Sequence, residues 1–151
     1  MTPVSCEVAG RSLFILDKLR KKGGIGVVYL LVGAAGFLGA SLRYSIGIFL
    51  FHESAVFPFA TLMVNLLGSF LLAWLMTGLL VRFSLPAHLK TALGTGFVGS
   101  FTTFSTLSVE TVTLFLDGKT ALAVLYVAAS IFGGLWMSRL GFRVTKGEEA
   151  E

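Results

Sequence analysis

The chain has 151 residues, 55% of them hydrophobic and only 13% charged, with a mean hydropathy of +0.86 and a formal charge of +4. A soluble domain carries a charge on roughly a quarter of its residues, so this composition excludes a water-soluble globule and points to an integral membrane protein. The cations lack the clustered patch of nucleic-acid binding, and the single Cys6 can form neither an internal disulfide nor a metal cluster.

In chain order, residues 1–22 hold a short apolar patch at 13–16, broken by Asp17 and followed by Lys18, Arg20, Lys21 and Lys22. A secretory signal places its cations first and its apolar region after them, so this stretch reads as a mobile or interfacial cytoplasmic extension. Crossing the hydrocarbon core takes about 20 residues, and four segments supply them: 26–50, interrupted only by Arg43; 57–81, free of charge; 89–116; and 120–140. Short connections join them, "FHESAV", "RFSLPAH" and the Gly-centred "DGK". The expected organisation is an extension (1–22), a four-helix membrane domain (23–142) and a charged tail (143–151), all-α and multi-pass in the plasma or inner membrane.

Arg11, Lys18, Arg20, Lys21, Lys22, Arg82, Lys90, Arg139, Arg143 and Lys146 fall on the side of the two termini, against Lys119 alone on the other. The positive-inside rule then puts both termini in the cytoplasm.

Polar residues inside the spans narrow the function. Gly33, Gly36 and Gly39 on the first helix, with Ser130, Gly134 and Ser138 on the fourth, have the small-residue spacing that lets membrane helices approach closely. Thr61, Asn65, Gly68 and Ser69 share one face of the second helix, and Tyr126 and Ser130 lie a turn apart on the fourth.

The third segment, "GTGFVGSFTTFSTLS" at 94–108, crowds glycines with hydroxyls. Each glycine weakens a helix by roughly 1 kcal/mol, and hydroxyls compete for its backbone hydrogen bonds. A break is expected near residues 99–103, where freed carbonyls face cations and helix N-termini face anions. Its G-x-G-x-x-G is no dinucleotide fingerprint, which needs a preceding strand in a βαβ unit. Paired carboxylates, a metal cluster and a nucleophile–base pair are all missing, so an enzyme is not expected. His52 and His88 fall in or beside loops, and Glu110 is the one acid well inside a span. With hydroxyls, one amide and positive phenyl edges, the polar track favours a small anion.

The stretches "GAAGFLGASLRY" (33–44), "TLMVNLLGSF" (61–70) and "GTGFVGSFTTFSTLSVE" (94–110), in this order and spacing, resemble the CrcB/Fluc family of fluoride channels over residues 26–141. The resemblance implies a dimer of four-helix subunits in antiparallel, dual-topology arrangement, with the third helix broken and two narrow pores. Fluoride would leave the cytoplasm passively through them, which lowers its toxicity.

By matching position, Asn65 would hydrogen-bond fluoride and Phe104 would present its ring edge, with Ser105 and Thr106 continuing the track and Tyr126 adding a phenol. The carbonyls of Gly99 and Thr102 would meet their symmetry mates around a structural Na+. Arg43 would sit at the vestibule, and Glu110 closes the motif.

The chain departs from the family pattern twice. Leu107 stands where many members carry a second phenylalanine. The lopsided cations also predict one orientation, so the partner is either a second copy or an oppositely oriented paralogue. An antiparallel exporter of the multidrug type would need an acid in the first helix, which is absent. A non-conducting subunit would explain the glycines but not the aligned polar faces.

Overall fold

The computed structural model describes the backbone of residues 3–50, 56–79, 82 and 85–148, with side chains over 26–49, 56–78, 82 and 85–145. The side chains of the 1–22 extension, His52 in the first loop and residues 149–151 of the tail lie outside the described residues. Helix α1 (Pro3–Leu50) passes the expected boundary at residue 22 without a break, so extension and first span form one helix.

Helix α2 (Phe59–Trp74) starts behind Pro58 and opens into a π-helical turn, Leu75–Leu79. The expected third span is in pieces: α3 (Ala87–Thr91), a π-helical segment (Ala92–Val98), the single turn α4 (Gly99–Phe101), and then α5 (Phe104–Leu116). Helix α6 (Thr120–Glu148) closes the chain.

Between α5 and α6 the turn is a Schellman motif. Gly118 takes φ +73, and its N–H reaches the Phe115 carbonyl while the Lys119 N–H reaches that of Leu114. A left-handed residue after a helix favours glycine because it has no Cβ to clash.

The interruption lies at Thr102 (φ −78, ψ 157) and Thr103 (φ −146, ψ 123), both extended. The glycines do not make it: Gly94 and Gly96 lie within the π-helical segment, and Gly99 keeps helical backbone at φ −63, ψ −32. Their poor helix propensity lowers the cost of leaving the α pitch for the wider π pitch. Their missing side chains admit a neighbour. A Cβ on Gly96 would lie 2.7 Å from the Val32 carbonyl oxygen of α1, and one on Gly39 would fall on the Phe97 carbonyl.

A second tight seam joins α2 to α6. There Gly133 faces Leu66, Gly141 meets the Phe70 carbonyl and Ala73, and the Thr77 and Thr145 hydroxyls bond at 2.9 Å.

Among the described residues, three helices are long and apolar enough to cross a membrane: Gly26–Phe49, Phe59–Gly78 and Thr120–Thr145. The third segment, 89–116, is broken as expected and is not among these three helices. With 13 residues, α5 reaches only about 20 Å at about 1.5 Å per residue, short of a hydrocarbon core of about 30 Å. Large apolar side chains face outward on α1 (Tyr29, Leu30, Phe37) and α6 (Phe132, Leu135, Trp136). Exposed apolar surface of that extent suits lipid and not water.

The close approach of α1 to the π-helical segment can be tested at two glycines. Gly39→Ala should lower the thermal midpoint of the purified protein in detergent, by about 1–3 kcal/mol of overpacking. Gly33→Ala, whose Cβ enters open space, should lower nothing. Equal midpoints for the two variants would show that the seam tolerates a methyl group.

Candidate functional site

At the interruption, α2 supplies what the broken helix lacks. Asn65 Oδ1 accepts the Thr103 N–H at 2.8 Å, and Asn65 Nδ2 donates to the Thr103 carbonyl at 2.9 Å. This two-point clamp settles the amide's orientation, since an N–H must face oxygen and a carbonyl must face nitrogen. Among the described residues the second Nδ2–H has no partner.

Gly68, one turn along the same face, lets Thr102 seat its methyl against α2. Thr103 is also the N-cap of α5. Its Oγ1 accepts the Thr106 N–H at 3.2 Å and lies 3.2 and 3.0 Å from the Ser105 and Thr106 hydroxyls. An N-cap hydroxyl satisfies one of the orphan donors of a helix start.

Two openings flank the clamp. A groove of about 320 Å³ is lined by Asn65, Ser69, Gly99, Thr102, Thr103, Phe104 and Leu107, among others. The Phe104 ring is 81% exposed, while Leu107 also packs inward on the cluster of Leu114, Ala123 and Tyr126.

On the other side, a cavity of about 550 Å³ is lined by Arg43, Tyr44, Thr61, Thr106 and Glu110, with apolar neighbours. Arg43 and Glu110 share this cavity without forming an ion pair. The Arg43 Nε is buried and has no hydrogen-bond partner among the described residues.

Glu110 is held at both oxygens. Thr61 donates to Oε1 at 2.8 Å and Tyr126 to Oε2 at 2.6 Å. Tyr126 is completely buried and stands edge-on to Phe57, with ring centroids 5.5 Å apart. The family resemblance alone gave this phenol a place near the pore; in the single chain its hydroxyl donates to Glu110 and it is not among the groove's lining residues.

The expected site residues thus divide. Asn65, Phe104, Gly99 and Thr102 meet at the groove, and Arg43, Thr106 and Glu110 meet at the cavity. Ser105 is exposed beside Thr103. Thr103, which lay within the expected break but was given no site role of its own, joins the two groups. Its signal was local: a hydroxyl residue opening a helix.

This geometry defines a multi-pass helical membrane protein whose interrupted helix carries a polar groove and no catalytic constellation among the described residues. The chain belongs to the CrcB family, matching the pattern described as "CrcB-like protein, Camphor Resistance (CrcB)" over residues 30–142.

Among its relatives is the "Fluoride-specific ion channel FluC 1" of Desulfitobacterium hafniense (strain Y51), 63% identical over 108 residues that cover 72% of this chain and 94% of that protein. The FluC 1 of Bacillus cereus (strain ATCC 10987 / NRS 248) is 53% identical, covering 77% of this chain and 85% of that protein. The "Fluoride-specific ion channel FluC 2" of Geobacillus kaustophilus (strain HTA426) is 49% identical, covering 83% of this chain and 98% of that protein.

The Glu110 node makes a measurable coupling. Tyr126→Phe and Glu110→Gln should each destabilise the protein. Together they should cost less than the sum, by about 0.5–3 kcal/mol in a double-mutant cycle of thermal stability. Additive losses would mean the 2.6 Å contact contributes nothing.

Proposed function

We propose that this chain is a fluoride-specific ion channel that exports fluoride passively from the cytoplasm. One observation carries the reading: the exposed Phe104 ring stands on the same groove as the Asn65 amide, whose clamp leaves one N–H unused. A fluoride ion needs donors in place of its hydration shell. An amide N–H and the positive edge of a phenyl ring supply them without a fixed cation that would hold the ion too tightly. The names of the relatives support the same ion.

The groove is open in a single chain, so the conducting unit is a dimer in which an antiparallel partner closes it. In that arrangement the Gly99 and Thr102 carbonyls of both subunits hold a structural Na+. Two features bear on this fit. The Thr103 N–H, which would close on the Gly99 carbonyl in a continuous helix, goes to Asn65. The Thr106 N–H, which would close on that of Thr102, goes to the Thr103 hydroxyl. Two uncovered hard oxygens per chain are donors of the kind a small hard cation takes. Arg43 at the cavity mouth attracts the anion, and Glu110 braces α2, α5 and α6. The partner is a second copy or an oppositely oriented paralogue, and relatives named FluC 1 and FluC 2 fit the latter.

Fluoride efflux from proteoliposomes, with chloride as the comparison, tests this reading. The chain, alone or with a paralogue, should release fluoride and retain chloride. Phe104→Ile should suppress the flux while the elution volume of the assembly stays unchanged. Wild-type flux in that variant would take Phe104 out of the pore, and no fluoride flux in any pairing would refute the channel.

A further inference from the structure

We infer that Asn65 and Thr103 are the residues that free and aim the cation-binding carbonyls, so that Asn65 belongs to the anion groove and the cation site at once. The inference rests on the sodium reading above and says which side chains create that site.

A helix hides each carbonyl behind the N–H four residues on. To uncover the Gly99 and Thr102 carbonyls, the N–H groups of Thr103 and Thr106 must be satisfied elsewhere, since lipid offers an unpaired donor no partner. One side chain does this for each. Asn65 Oδ1 takes the Thr103 N–H at 2.8 Å, and Thr103 Oγ1 takes the Thr106 N–H at 3.2 Å.

Direction follows from the same bonds. The peptide between Thr102 and Thr103 is trans, so its carbonyl lies antiparallel to its N–H across a rigid plane. With the Thr103 N–H held on Asn65 of α2, the Thr102 carbonyl must point away from α2. The second half of the clamp, Asn65 Nδ2 to the Thr103 carbonyl at 2.9 Å, fixes the next peptide plane as well. The amide that offers its spare N–H to fluoride is therefore also the group that orients an oxygen for the cation. Asn65 and Thr103 are positioning residues towards the cation, acting through the backbone and not as its ligands.

Thermal unfolding of the purified protein in detergent, with sodium titrated against N-methyl-D-glucamine at constant ionic strength, provides a readout independent of flux. A bound cation raises the midpoint with concentration by mass action, and wild type should show that rise. Thr103→Val, which keeps shape but removes the acceptor, should raise the sodium concentration for half the effect about tenfold or more, the usual loss on removing a supporting residue behind a metal ligand. Asn65→Leu should do likewise, and Thr103→Ser should respond like wild type.

A variant that lowers the midpoint equally with and without sodium, leaving half-saturation unmoved, overturns the inference for the residue it replaces. Thr103→Val acts on the Thr102 carbonyl alone, and Asn65→Leu on that of Gly99 and on the direction of Thr102, so either variant still tests the inference if the other does not fold. A wild-type protein with no sodium response refutes the sodium reading itself, and this inference with it.

Discussion

Two hydrogen bonds between Asn65 and the Thr103 peptide hold the rest of the site in place. A helix interrupted inside a membrane exposes donors and acceptors that lipid cannot satisfy, and such a break survives only where protein or enclosed water covers the freed groups. Here an amide from the neighbouring helix answers both polar atoms of Thr103, at 2.8 and 2.9 Å. Asparagine suits this because its side chain reproduces the donor–acceptor pair of a peptide group. Aspartate could only accept when ionised, and leucine could do neither. The clamp also brings α2 to a fixed register on the break, which puts Gly68 under Thr102 and leaves the groove open beside Phe104.

The packing around the clamp follows from how closely backbones can approach. On one side Gly39 of α1 and Gly96 of the π-helical segment remove the side chains that would hold α1 off the broken helix. On the other, Gly133 and Gly141 do the same for α2 and α6. Lipid offers no hydrophobic drive between helices, so close van der Waals contact and interhelical hydrogen bonds must supply the association. Glu110 adds the second kind of contact, tying Thr61 of α2 and Tyr126 of α6 to α5 through its two oxygens. The clamp and this node lie on opposite sides of Thr106, which bonds Thr103 and lines the cavity of Glu110. The groove and the cavity are therefore set by one continuous chain of contacts.

The membrane class and the positions of three spans were legible because charge is so sparse between residues 23 and 138 that the apolar stretches stand out. The turn at Gly118 was legible because "DGK" can do little else between two helices. The break, expected near residues 99–103, falls within that range at Thr102–Thr103, but its cause was less legible. Helix propensity charges its cost to Gly94, Gly96 and Gly99, yet all three keep helical backbone. The chain turns at Thr102–Thr103, because the competing hydrogen bonds there come from Asn65, 38 residues away in sequence. Periodicity has the same limit at Tyr126. It assigns the phenol to a face of α6, but whether that face meets a groove or a carboxylate depends on how α5 lies against it. Thr103 could have been recognised as a cap from its local pattern, but its second partner belongs to another helix.

Leu107 and the distribution of charge bear jointly on what completes the groove. Phe104 is exposed on the groove, whereas Leu107, one turn on, also closes the cluster of Leu114, Ala123 and Tyr126. An aliphatic group offers no positive edge to an anion, so among the groove's lining residues this chain brings one aromatic ring, Phe104, where many of its relatives are expected to bring two. In the dimer proposed above, two identical chains would leave both pores with the same deficit, and a paralogue with phenylalanine at the position of Leu107 would make it up in one. The cations, gathered near the two termini and the second loop, favour a single orientation of this chain by the positive-inside rule. Under that proposal, both features bear on the choice between a second copy and an oppositely oriented relative.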